Sequence, residues 1–112
     1  MRMGAPSNID LQLDSGPDKG PVYDTEPIQI MRIRLEPGDA LPFHKANSNV
    51  LLVPLTGTLR FEEESGEEHL VEHGEALQVE YMTPMLVSNA GEDLLTFLVL
   101  KTPHPKVMSD EG

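Results

Sequence analysis

EPGDALPFHKANSNVLLVPLTG, residues 36–57, opens and closes on a turn signal and carries a single histidine, His44. Its second half, Asn49 to Leu55, is apolar on both faces. The same rhythm continues outward in both directions. Turn signals recur at 64–67 (ESGE), 72–75 (EHGE), 82–84 (MTP) and 89–93 (NAGED). Between them lie short apolar or alternating runs at 28–35, 49–55, 58–64, 68–72, 76–82, 85–89 and 94–101. Leu59 and Phe61 oppose Arg60 and Glu62, and Leu77, Val79 and Tyr81 oppose Gln78 and Glu80. Side chains alternate across a strand, so each run has one face to bury. No run keeps a helical period. Many short strands separated by Gly/Pro turns predict an all-β sandwich or barrel.

The chain has 112 residues, enough for one domain with a modest core. We read residues 1–26 as an irregular arm with at most a short strand at 9–13, residues 27–103 as the barrel, and 104–112 as a loop-like tail. The absence of cysteine excludes disulfides, thiolate metal sites and cysteine nucleophiles. Nineteen acidic against eight basic residues give a formal charge of −11, which repels a phosphate backbone and argues against nucleic-acid binding. The longest late apolar run, Leu94 to Leu100, has strand length and does not reach a membrane span. The N-terminus lacks the apolar segment of a signal peptide, so a soluble, cytoplasmic protein is expected. The runs at 49–55 and 94–100 are apolar on both faces. One face fills the barrel, and the other needs a cover, either the arm or a second copy of the chain. A homodimer is therefore expected.

The turn residues fall in a known register. Five residues separate Gly38 from His44, six separate Val50 from Gly57, and Gly66, Gly74, Pro84 and Asn89 follow. In this the chain resembles the cupin superfamily, small RmlC-like jelly-roll or double-stranded β-helix barrels. The resemblance covers residues 28–101. It implies a metal held by two histidines, a glutamate and a third histidine. At those positions stand His44, Ala46, Val50 and Met85. Only His44 is a usual ligand, and a first-row ion wants three or more nitrogen or oxygen donors. The expectation is a cupin barrel that has lost the usual metal chemistry, with no cofactor.

If the family's ligand positions point inward, His44, Ala46, Val50, Leu52, Phe61, Met85 and Val87 line an apolar pocket with one polar handle. Such pockets take small molecules. The competing expectation is that these side chains fill the barrel, since Met packs irregular gaps well. The function expected is a small-molecule-binding or sensing module, with a structural dimer around a filled barrel as one alternative. The other is an enzyme using His44 as acid or base with Tyr81, as in metal-independent epimerases of the family. That reading also needs cations for an anionic substrate, for which Arg32, Arg34 and Arg60 are candidates. A soft Cu(I) site from His44 and Met85, helped by Met31 or Met82, is a further alternative to plain core methionines. His69, His73 and His104 are expected to be exposed, and Lys45 to point outward.

Overall fold

Gly57 is where the chain turns from one sheet toward the other. Its φ is +83°, and a Cβ there would lie 2.9 Å from both the Leu94 carbonyl oxygen and the Leu95 Cα. Backbone does not yield to such a clash, and only glycine adopts that φ cheaply, so the position admits no side chain. In a computed structural model of the chain, which describes residues 4–109, this turn joins β4 (Asn49–Thr56) to β5 (Thr58–Glu62).

The remaining elements are β1 (Lys19–Asp24), β2 (Gln29–Leu35), β3 (His44–Lys45), β6 (Glu68–Glu72), β7 (Leu77–Val79), β8 (Pro84–Asn89), β9 (Leu95–Thr102) and a short α1 (Pro105–Ser109). They form a five-stranded sheet in the order β1-β2-β9-β4-β7 and a four-stranded sheet in the order β3-β8-β5-β6, with antiparallel pairing throughout. Two facing sheets with this strand order make the expected all-β jelly roll. Among the described residues no helix is long and apolar enough to cross a membrane.

Three local expectations are corrected. The strand lies not at 9–13 but at Lys19–Asp24, where its backbone pairs with β2 although its sequence, KGPVYD, carries a proline and no apolar alternation. The tail carries the short helix α1. The run at 76–82 stops being a strand after Val79, because the chain turns through Glu80–Thr83 with Met82 at φ +72°.

The core lies between the sheets. From the first sheet come Ile33, Leu35, Val50, Leu52, Leu95, Phe97 and Val99, and from the second Leu59, Phe61, Val71, Met85 and Val87. Cross-strand partners share a face, so the register alone aligns Ile33 with Phe97, and Met31 with Val99 and Leu52. Asn89, buried at the end of β8, donates to the Leu35 and Asp93 carbonyls and accepts from the Gly91 amide. Its place in the turn register thus has a structural reason. A buried turn must satisfy its backbone groups, and this side chain does so for the 89–93 corner.

On the outer face of the first sheet, Arg32 is only 1% exposed and donates to the carbonyls of Gln12, Ser15 and Pro17. Arg34 donates to the Leu13 and Gly16 carbonyls and pairs with Asp18 at 3.3 Å. The two arginines clasp the arm against β2. The apolar outer face is thus covered in part. Leu98, beside Arg32 in the register, is 9% exposed, whereas Leu51, two strands from Ile30 in the next row, is 41% exposed.

Candidate functional site

Alternation places β3's His44 opposite Met85 of β8, so the imidazole shares the inner face with a buried core residue. Yet β3 is a two-residue edge strand, and His44 is exposed at the mouth of the barrel, with Nδ1 2.9 Å from the Pro42 carbonyl. Behind it lies a cavity of about 50 Å³ lined by Met31, Ile33, Leu41, Ala46, Val50, Leu52, Met85 and Val99. Its polar edge is Lys19, His44, Asn47 and Lys101.

Of the residues expected to line a pocket, His44, Ala46, Val50, Leu52 and Met85 do so. Phe61 and Val87 do not line this cavity, and Phe61 instead borders a wider, more open pocket of about 350 Å³ with Glu63, His69, Leu77 and Val79. They pair with each other across β5 and β8 and pack in the barrel interior away from the mouth. Tyr81 is also elsewhere. Its strand has already ended, the residue is 41% exposed, and its amide donates to Asn49 Oδ1 at 2.9 Å. The acid–base pair of His44 and Tyr81 is therefore not assembled in the cavity. Nor do the three arginines supply a site for an anion, since Arg32 and Arg34 hold the arm and Arg60 faces Glu68 at 3.5 Å.

The sequence reading missed the two lysines. Lys101 continues the inner row of β9 after Phe97 and Val99, opposite Val50, and Lys19 of β1 pairs with Ile33. The phase of β9 pointed to Lys101. Nothing comparable marks Lys19, which opens a short Gly/Pro-containing segment without apolar alternation. Burial first, and the charge of Lys19 second, hold the Lys101 ammonium below the usual lysine pKa range.

The family's metal does not fit this donor set. Ala46 and Val50 carry no donor, Met85 is a buried thioether in the core, and the one imidazole is turned to the Pro42 carbonyl. Met31 and Met85 do share the cavity with His44, but Met82 is on an outer turn, and two lysines at the same mouth oppose a cation.

The other histidines are not all free at the surface. His69 is half-buried on the inner side of β6, 2.5 Å from Glu63 and edge-on to Phe61. Its hydrogen bond, with a second from Glu67, holds the Glu63 carboxyl below the usual range. Glu63, Glu67 and His69 bring their donor atoms within 4.8 Å of one another, but His69 and Glu63 already satisfy each other in a solvated hairpin. His104 is half-buried against Asp24 at 2.8 Å, and only His73 of the three is exposed as expected.

No protein-family model matches the sequence. The uncharacterized protein MJ0764 of Methanocaldococcus jannaschii is 36% identical over 88 residues, covering 79% of this chain and 76% of that protein. Its crystal structure, described as an RmlC-like cupin family protein with a double-stranded β-helix fold, superposes with a TM-score of 0.79 over 93% of this chain and 96% of that one. A cupin domain of Bordetella pertussis (21% identity, TM-score 0.64, covering 79% and 96%) shares the fold, as does TT1209 of Thermus thermophilus (27% identity, TM-score 0.65, covering 76% and 81%). Identity above a third across most of both sequences, on the same double-stranded β-helix fold, makes this chain a member of the RmlC-like cupin family.

Proposed function

We propose that this cupin is a small-molecule-binding module whose ligand enters the barrel mouth beside His44. The observation that carries the reading is the cavity itself. Met31, Ile33, Val50, Leu52, Met85 and Val99 give it an apolar wall, and its few polar groups sit only at the edge. That division of an apolar body from a small number of orienting groups is the usual form of a small-ligand site. Loss of the metal-ligand set leaves the barrel free to work by shape and charge. The volume restricts the ligand: about 50 Å³ holds roughly three to five water-sized groups.

The methionines supply the test. In protein labelled with ¹³C at the methionine methyls, a small-fragment screen should shift the Met31 and Met85 signals and leave Met82, which is exposed on an outer turn, in place. A screen in which no fragment moves Met31 or Met85 defeats the reading. We also propose that a second copy packs on the outer row Ile30–Leu100–Leu51, supported by the apolar surface that the arm leaves open there.

A further inference from the structure

From the placement of Lys19 and Lys101 we infer that the ligand of the barrel cavity is a short-chain carboxylate, its charge held between the two ammonium groups and its hydrocarbon end against Met31, Val50, Met85 and Val99. The inference rests on the reading of this cavity as a small-molecule site and names the class of molecule it takes.

The chain carries eight basic residues among nineteen acidic ones, so a lysine has carboxylates available on almost any surface. Arg34, Arg60 and the imidazoles of His69 and His104 each have one. Among the described residues, the ammonium groups of exposed Lys19 and half-buried Lys101 have no ion-pair or hydrogen-bond partner, as is also true of exposed Lys45, which lines no cavity. Lys19 and Lys101 instead line the same cavity from two strands of one sheet face, and no carboxylate lines it with them. Two like charges brought together at an apolar wall oppose folding, and an anion between them reverses the sign of that interaction. The surroundings also specify which anion. Asn47 and His44 add hydrogen-bonding groups at the same edge, while every deeper residue is apolar. A fully hydrated anion such as phosphate gains nothing from that wall. A neutral apolar ligand leaves both ammonium groups unanswered, and a cation is repelled. The cavity's roughly three to five water-sized groups, with the carboxylate oxygens at its open edge, suit a short acid in the range from acetate to butyrate.

The test is calorimetric titration of the full chain with acetate, propionate, butyrate, 1-butanol and inorganic phosphate. It is run on the wild type and on Lys19→Met, Lys101→Met and Lys45→Met, each checked for a cooperative melt. Lys45 points outward at the same mouth and serves as the control. The expected result is that butyrate binds more tightly than acetate, with 1-butanol and phosphate each at least about tenfold weaker. Each of Lys19→Met and Lys101→Met should cost butyrate at least about tenfold, the loss of one charge-assisted contact, with Lys45→Met unchanged. If 1-butanol matches butyrate and neither lysine matters, the carboxylate inference falls while the cavity reading stands. If phosphate matches butyrate, the apolar half of the inference falls. If neither acid nor alcohol binds, the cavity reading falls and takes this inference with it.

Discussion

Lys101→Met should make the ligand-free protein more stable. Lys101 ends the inner row of β9, where the two residues before it in phase, Phe97 and Val99, belong to the core. Its ammonium is penalised twice, by partial desolvation and by the like charge of Lys19. Methionine has a similar reach, keeps most of the apolar stem and removes both penalties. A gain on the order of 1 kcal/mol at pH 7 is expected, the scale typical of relieving strain built into a functional site. For a domain of this size that is a rise of about 4 °C in melting temperature. The pH dependence gives the direction a second check. A lysine with a depressed folded pKa loses its proton in the native state before it does in the unfolded chain. Between those two values the unfolded state binds more protons, and wild-type stability climbs with pH. The advantage of the variant is therefore complete at neutral pH. It shrinks as pH rises through the depressed Lys101 value toward the ordinary lysine value of about 10.4. Urea unfolding of both proteins at pH 7 and pH 10 measures the gap, and comparing two chains that differ at one group cancels the titration of every group not coupled to Lys101. A variant less stable than wild type at pH 7 by more than about 1 kcal/mol, or a gap indifferent to pH, would refute the reasoning.

Gly57→Ala should cost about 2–3 kcal/mol in chemical unfolding, because it adds the left-handed backbone penalty to a Cβ 2.9 Å from fixed backbone of Leu94 and Leu95. A cost below about 1 kcal/mol means that the turn relaxes. Arg32→Ala removes the donor to three arm carbonyls and should raise the rate of protease cleavage within residues 9–18 by tenfold or more, with the barrel left folded. Cleavage at the wild-type rate denies the clasp. If a second copy packs on the outer row as proposed, the wild type is a dimer in analytical ultracentrifugation and Leu51→Glu a folded monomer, whereas Leu98→Glu should unfold the chain, since Leu98 is 9% exposed and Leu51 is 41% exposed. A folded dimer for Leu51→Glu removes that row from the interface.

The barrel could be read from sequence because its signals are local. Turn glycines, alternation in residues 58–62 and the two-sided apolar runs of β4 and β9 each follow from backbone rules that act within a few residues. The inward facing of His44, Ala46, Val50, Leu52 and Met85 followed from the same period. What escaped the sequence reading depends on partners distant in the chain. β1 has too little apolar character to announce itself and forms because β2 offers an edge. Lys19 therefore lies in a segment whose own residues predict an irregular arm. Lys101 was in phase with Phe97 and Val99, but a charged residue closing an apolar run reads as the solvated end of a strand. Arg32 and Arg34 looked available for a substrate because their acceptors are carbonyls 15 to 21 residues upstream, a pairing that no local pattern encodes. Tyr81 failed because a strand can stop short of its apolar period when a turn intervenes.

The most direct test of the account is a crystal structure of the untagged protein soaked with butyrate. The expected result is a carboxylate within hydrogen-bonding distance of both Lys19 Nζ and Lys101 Nζ, with the alkyl chain against Met31 and Met85 and no ion on His44. A cavity closed by its own side chains, or a metal held at His44 by ligands from other positions, would contradict it.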